Sequence, residues 1–405
     1  MSAGGEPRTW ARVAAVGGVA LALRLAPLAL PFDFAGPDSS SYWDMASGLA
    51  SGEGLVDPQA ATARPPGYPV FMAACFVVAG GPSALAVRLV QALLGALCAA
   101  CAFAALEPRH GPRAAWLAAA IVALDPIAAG QAPFLLREAL LMALVSGVWV
   151  ALVRLRGRAR LAACGLGLCA LVLTHPLYLL LGPFLAGADL VARGRRALAP
   201  WVAIGLVIAL GAGLWCQRNA RLTGRFALNP VASTVPAHEL WLTSACPNLW
   251  LSGDPATGFQ ALAWQEERRL LKERGVEGTK RELYRRAGEA WREHPLRSLG
   301  RLLRQNVWYW LEVPGAVRLV EHPRLSFVRW GLVAFTWVRL TAALAALVWA
   351  WRQARFQHRF ELALLAFFAL APALLYPIPR YLAPACPLLD ALAALGVARS
   401  RGWTP

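Results

Sequence analysis

Charge is scarce in this sequence. Asp, Glu, Lys and Arg make up 16% of its 405 residues against 58% hydrophobic ones, which excludes an ordinary soluble multidomain protein. A cleavable leader is lacking too: the first apolar run, Thr9 to Leu30, is too long for a signal-peptide core and no small-residue cleavage site follows it, so it is expected to stay as a helix. The cysteines lack metal-site company. Cys98 and Cys101 form a C-x-x-C inside an Ala/Leu run with no His or second Cys pair nearby, so they read as small core side chains, with metal or redox work the lesser alternative. Cys216 and Cys246 would pair only if both faced an oxidising compartment. No convincing internal repeat relates the two halves, which counts against a transporter built from repeated units.

What is present is a series of apolar runs. They cover Thr9 to Leu30, Ser83 to Leu106, Arg113 to Gly130, Leu135 to Val153, Leu161 to Leu190, Ala199 to Trp215, Trp330 to Ala350, Glu361 to Tyr376 and Leu382 to Val397. A spanning helix needs roughly 20 mostly apolar residues, so the expectation is an all-α polytopic membrane protein with about 10 transmembrane helices. The net charge of +17 falls largely in short loops between these runs, a pattern that reports orientation and does not call for nucleic acid.

The basic clusters Arg154 to Arg160, Arg193 to Arg196, Arg352 to Arg359 and the terminal Arg399 to Gly402 all read as cytoplasmic, and Arg8 and Arg12 place the N-terminus there as well. Pro31 to Ala63 carries five acidic residues and no Lys or Arg, so it reads as outside. Both ends of the Leu161 to Leu190 run want the inside, which predicts two short helices with an outward turn at Thr174-His175-Pro176. Parity then leaves no crossing for the run from Pro65 to Gly80, expected as a short surface helix. The domain division that follows is an N-terminal transmembrane module over 1–215 with its outer loop at 31–82, an extracytoplasmic part with an interfacial helix over 216–325, and C-terminal membrane helices over 326–405.

In the first outer segment Asp38 stands where a helix N-cap would, followed by Tyr42, Met45, Ala46, Leu49 and Ala50 at helical spacing. That pattern suits an interfacial helix with its apolar stripe toward lipid. Tyr42 shares a face with Asp38, and Asp44 points elsewhere. Capping alone would account for Asp38 as well as chemistry would. The later extramembrane part ends in two charged helices, about Phe259 to Arg274 and Thr279 to His294, whose mixed charges suit a solvated face. An interfacial belt follows Pro295.

Ionisable groups inside apolar runs usually face a partner or a cavity. Arg24, Arg88, Asp125 and Glu138 fall in the outer halves of their helices and are expected to converge beneath the Asp38 segment. Arg339 and Asp390 sit at matching depth in two other spans and are expected to pair. Arginines can grip a phosphate through two parallel hydrogen bonds, and a carboxylate can take a proton from an attacking hydroxyl. Both suit sugar transfer from a lipid-linked anion.

Asp38 with Tyr42, "RPPGYPVFMA", "AVRLVQALLGAL", "LLREAL", "WCQRNARLTGRF", "GDPATGF", "EHPLRSLGRLLRQ" and "RYLAPACPLLDALAALG", in this order along nearly the whole chain, resemble the GT-C membrane glycosyltransferases. The likeness is to the branch of dolichyl-phosphate-mannose protein mannosyltransferases and lipid A aminoarabinose and galacturonic acid transferases. The resemblance implies a GT-C-like fold, a polyprenyl-phosphate-sugar donor, a lipid, glycan or protein acceptor, and an active site on the outer face of a bacterial inner membrane. It also implies inversion at the sugar C1. Carried onto this sequence, it makes Asp38 the catalytic base with Tyr42 beside it, matches Glu138 to a recurrent acidic residue, and sets Arg64, Arg218 and Arg380 near the donor phosphate. Arg88 joins them by position, and His175 occupies a turn where relatives often have Arg.

Relatives commonly carry two adjacent carboxylates where this chain reads Asp38-Ser39, which weakens the case for a bound metal. A divalent cation is compatible with the sequence but not required by it, and the second carboxylate would be Glu138 or Asp125. A non-catalytic scaffold subunit and a lipid-linked-sugar flippase remain as rival functions.

Overall fold

Every one of these apolar runs is helical in the computed structural model, which describes residues 6–29, 38–55, 64–230, 237–238, 240–241, 244, 259–311, 326–354, 358–375 and 379–403. The helices are α1 (Glu6–Leu25), α2 (Ser39–Ala50), α3 (Gly67–Ala79), α4 (Ala84–Leu124), the single turn α5 (Pro126–Ala129), α6 (Glu138–Arg154), α7 (Gly157–Thr174), α8 (Leu181–Arg193), α9 (Leu198–Thr223), α10 (Phe259–Glu293), α11 (Pro295–Leu311), α12 (Ser326–Ala354), α13 (Arg359–Leu375) and α14 (Cys386–Ser400). Four stretches, Ala84–Leu124, Gly157–Thr174, Pro176–Thr223 and Tyr381–Ser400, are long and apolar enough to cross a membrane. The protein is a membrane protein built from helices.

The first of these stretches is two helices. Gly111 adopts φ +77° between Pro108 and Pro112, a conformation L side chains rarely take. The rings of Phe103 and Trp116, on either side of this break, lie 4.5 Å apart, so α4 folds into an antiparallel hairpin with Gly111 at its tip. Alanines line its seam: Ala99, Ala102, Ala105, Ala114, Ala115 and Ala118 are all buried in the main core. Small side chains let helix backbones approach closely where lipid offers no hydrophobic drive for association. Cys98 is buried in the same seam. The expected turn at His175 is also present: α7 ends at Thr174, and a 3-10 turn, Pro176–Leu180, leads into α8.

α3 has 13 residues, about 20 Å at 1.5 Å per residue, against a hydrocarbon core of about 30 Å. Tyr68 near its start donates to Gln91 Oε1 at 2.7 Å, so α3 and α4 are antiparallel and their connecting turn lies away from the Gly111 end. The sequence "RPPGYP" has a steric reason as well. A Cβ on Gly67 would sit 2.3 Å from Thr174 Oγ1, so only glycine lets the start of α3 rest on the end of α7. α2 packs on α3, with Tyr42 and Tyr68 in edge contact at 4.9 Å and Trp43 and Phe76 at 4.8 Å. This corrects the lipid-facing stripe: Tyr42, Met45 and Ala46 are buried, because a second apolar helix is there to cover them.

α10 is the pair of charged helices, broken at Gly275 with φ +64°. Leu270, Leu283 and Ala287 from its two halves meet Ala237 and Trp241 in a small separate core, while the buried Glu282 carboxylate accepts from Arg285 and Arg286. α11 then packs on the 3-10 segment Pro379–Ala385. Cys246, and with it the Cys216–Cys246 pairing, lies outside the described residues.

The intramembrane charges sort differently from the sequence expectation. Arg339 reaches Asp390 at 3.6 Å, as expected, but also Asp125 at the shorter distance of 3.1 Å. Asp125 caps α5 through Ile127 N at 2.8 Å, and Arg24 donates to the carbonyls of Ala20, Val122 and Ala123. Asp125 and Arg24 therefore brace the helix bundle. Arg24 also explains Gly95, whose Cβ would stand 2.5 Å from Arg24 Nε. Arg339→Met strands two buried carboxylates and is expected to lower folding stability by about 3–5 kcal/mol, read as the denaturation midpoint of the detergent-purified chain. A midpoint within the error of the parent protein would show that the cluster holds nothing together.

Candidate active site

At the end of the bundle where α2, α3, α6 and the α7–α8 turn meet, the sequence puts a carboxylate and several arginines close together. Asp38 does occupy the N-cap position of α2, but its side chain makes no capping bond. It accepts instead from Arg64 Nη2 at 2.7 Å, which removes simple capping as the explanation for this residue. Neighbouring Ser39 Oγ donates to the Leu135 carbonyl at 3.0 Å and pins the first turn of α2 to the segment before α6.

Tyr42, one turn on from Asp38, is buried beneath this pair. The Arg64 guanidinium lies 5.6 Å from its ring centre, and its hydroxyl accepts from Arg137 Nη1 at 2.9 Å. Burial raises the pKa of the Tyr42 hydroxyl above the usual phenol range, with Arg137 pulling the other way. The phenol is therefore neutral at physiological pH, and while it accepts from Arg137 its own proton remains available to donate. Arg137 extends its other arm, Nη2, to the Tyr381 hydroxyl at 3.2 Å. One planar fork thus joins α2 to the start of the C-terminal helix, a geometry the ammonium of lysine does not reproduce. The ring of His175 meets the Tyr381 ring edge-on at 4.8 Å, and His175 Nδ1 accepts from Leu177 N at 3.1 Å, which fixes the imidazole across the α7–α8 turn.

Of the residues expected from the sequence, Asp38, Arg64 and Tyr42 are in mutual contact, and His175 joins them through Tyr381 and Arg137. Glu138 is buried at the start of α6 beside Arg137. Arg88 donates to the Pro133 carbonyl at 2.8 Å, bracing the 131–137 segment from α4. Arg218 donates to the Leu55 carbonyl and stacks on Trp215 at 4.5 Å, so it meets the first outer segment beyond α2. The Arg380 side chain lies outside the described residues. Asp125 belongs to the Arg339 cluster, which leaves Glu138 as the nearer second carboxylate. The two residues missed are Arg137 and Tyr381. Each is the sequence neighbour of one that was selected, in "LLREAL" and "RYLAPA", and Arg137 escaped notice because it lies at the edge of an apolar run.

Among the described residues no three His, Cys, Asp or Glu side chains come together as ligands for a metal ion. The nearest described charge to Asp38 is the Arg64 guanidinium.

No family model and no curated protein matches the sequence. Solved structures do match the fold. An archaeal oligosaccharyltransferase, AglB from Archaeoglobus fulgidus, in complex with an inhibitory peptide and a dolichol-phosphate, aligns with a TM-score of 0.58 at 14% identity over 99% of this chain and 51% of its own. The same Archaeoglobus fulgidus enzyme with Zn and sulfate aligns at 0.56, 14% identity, over 96% of this chain and 49% of its own. ArnT from Cupriavidus metallidurans bound to undecaprenyl phosphate gives 0.45 at 18% identity over 97% of this chain and 79% of its own. This chain thus shares the helical fold of the archaeal oligosaccharyltransferase, and spans about half of that protein's length.

Arg137→Leu removes both donors of the fork from the Tyr42 and Tyr381 hydroxyls, an expected loss of about 1–3 kcal/mol for each hydrogen bond lost. Arg137→Lys should recover only part of it. Thermal unfolding of the purified variants checks both; equal stability for all three proteins would mean that the fork is idle.

Proposed function

We propose that this protein is a membrane glycosyltransferase that moves a sugar from a polyprenyl-phosphate-sugar donor to an acceptor hydroxyl on the outer face of the membrane. The observation that carries this is the contact of Asp38 with Arg64 over Tyr42 and Arg137, at one end of a fold shared with an oligosaccharyltransferase. The acceptor is a lipid, glycan or protein hydroxyl, and the membrane is the inner membrane of a bacterium.

In the unliganded site Arg64 pairs with Asp38 and holds it aimed. The donor phosphate is a diester with one negative charge and two free oxygens, a match for the guanidinium fork, and it gains charge and a third free oxygen as its bond to C1 breaks. On this reading Arg64 turns to the phosphate when donor binds and holds it as that charge develops, and Asp38 is released to act as a base. The acceptor oxygen then gives its proton to Asp38 and its electron pair to the sugar C1. The bond from C1 to the phosphate oxygen breaks, and polyprenyl phosphate leaves with that electron pair. A single displacement of this kind inverts the configuration at C1.

Arg137, rigidly forked between two phenols, keeps a second positive charge beneath the leaving group, and His175 offers its imidazole from the facing turn. Glu138 beside Arg137 balances that charge while the site is empty. Arg88 and Arg218 shape the walls, the first behind 131–137 and the second at Leu55, and Arg380 is assigned to the phosphate from its sequence motif. No step passes through a metal ion.

General-base help is worth about 10²–10⁴ in rate, and a preorganised donor to the developing charge about 10²–10³. Asp38→Asn is therefore expected to stay folded and keep its donor while turnover falls at least about 100-fold. The assay is incubation of the purified chain with labelled polyprenyl-phosphate sugars, following transfer and hydrolysis. Turnover at the parent rate in Asp38→Asn would remove Asp38 from the chemistry. Binding without turnover in the parent protein would favour a scaffold, and passage of the labelled lipid across vesicles a flippase.

A further inference from the structure

Among the described residues of the apolar helices, three clusters of buried charge lie outside the candidate active site, and their balance differs. Arg24 and Arg339 stand against Asp125 and Asp390, two charges of each sign. Arg109 meets Glu361, whose carboxylate also accepts from Trp149 Nε1 at 2.9 Å, one of each. The third cluster is unequal. Asp189 near the end of α8 is fully buried and receives Arg160 from α7 at 3.4 Å, Arg359 from α13 at 3.0 Å, and Arg193 from its own helix. Trp201 Nε1 adds a neutral donor at 3.1 Å. Among the described side chains three guanidiniums gather on one carboxylate, so the cluster is net positive.

This surplus is fixed in place. The ring of Phe360 lies 5.1 Å from the Arg160 guanidinium and 4.5 Å from that of Arg359, so both planes are held by cation–π contact before any ligand arrives. Asp189 takes two donors from Arg193 and one from Arg160, out of five that each guanidinium carries. The Arg193 side chain is 37% exposed and that of Arg160 17%. Nearby, Val191 on α8 and Leu198 and Val202 on α9 are exposed apolar residues, a surface that suits acyl chains and not water. Arg160 also stands 14 residues from the Thr174 end of α7, about 21 Å along the axis, so this cluster is at the end of the bundle away from Asp38.

We propose that Arg160, Arg193 and Arg359 form a binding site for the phosphodiester headgroup of an anionic phospholipid, such as phosphatidylglycerol, in the leaflet opposite the candidate active site. Asp189 is the internal template that spaces the three guanidiniums, and the surplus charge is the complement of the headgroup. The acyl chains lie along the exposed apolar strip of α8 and α9. The site is separate from the glycosyltransferase reading and stands whether or not that reading holds.

The test is native mass spectrometry of the delipidated full chain titrated with phosphatidylglycerol and with phosphatidylethanolamine of the same acyl chains. Each basic residue near an anionic lipid surface is worth about 1 kcal/mol, so two surplus charges predict a preference for phosphatidylglycerol of about 10- to 30-fold. Arg193→Gln should cut this preference about 5-fold, and Arg160→Gln with Arg193→Gln should abolish it, both with an unfolding midpoint close to that of the parent. Arg156→Gln with Arg158→Gln removes two exposed charges from the same segment and should leave the preference intact.

Absence of preference in the parent chain would overturn the proposal, as would an equal loss in the Arg156/Arg158 control. Should the double variant not fold, the single Arg193→Gln decides alone, and an unchanged preference there counts against the site. Inorganic phosphate at millimolar concentration should not displace the lipid. Displacement by phosphate alone would mark a site for a free anion and refute the lipid source.

Discussion

The ion pair between Asp38 and Arg64 is the contact on which the rest of the candidate site depends. It joins two residues 26 apart in the chain and so fixes the start of α2 against the start of α3. Ser39 on Leu135 and Gly67 on Thr174 fasten the same two starts to the bundle beneath. With both helices pinned, Tyr42 has one place to go, and the Arg137 fork under it carries the constraint across to Tyr381 and the C-terminal helices. A carboxylate in this frame is neither a mobile loop residue nor a cap. It is a group held in place by a partner for which a phosphate can compete.

The distribution of buried charge along the bundle follows the same logic. Where helices cross in apolar surroundings, every cation meets an anion or backbone carbonyls, as at Arg339, Arg24 and Arg109, because an uncompensated charge there would cost several kcal/mol. Near the two ends of the bundle the balance tips. Arg64, Arg137 and Arg88 gather around Asp38 and Glu138 at one end, and Arg160, Arg193 and Arg359 outnumber Asp189 at the other. On the proposed readings, the guanidiniums at one boundary serve a reacting lipid phosphate and those at the other a resident one.

Much of the fold could be read from the sequence because hydropathy and breakers are local properties. The apolar helices, the turn at His175, the break between the Arg109 and Arg113 flanks and the division of α10 at Gly275 all follow from run length and from Gly and Pro positions. Direction across helices was harder to read. The stripe of α2 was assigned to lipid because periodicity shows that a face is apolar without showing what covers it, and α3 covers it. Asp125 was placed in the wrong company for a related reason: depth along one helix does not reveal which of several helices at that depth stands opposite, and its partner Arg339 is 214 residues away. Within the site, Asp38, Tyr42 and Arg64 were found through motifs that the resemblance supplied. Arg137 and Tyr381 were passed over because a fork between two phenols from distant segments leaves no spacing signal in the chain.

The release of Asp38 by the donor is the central claim, and a structure of the full chain with polyprenyl phosphate bound tests it most directly. The account predicts the phosphate within hydrogen-bonding distance of Arg64, with the Asp38–Arg64 contact opened and the carboxylate facing the space left for an acceptor hydroxyl. A phosphate bound at a site that leaves the Asp38–Arg64 pair closed at its present 2.7 Å would contradict it.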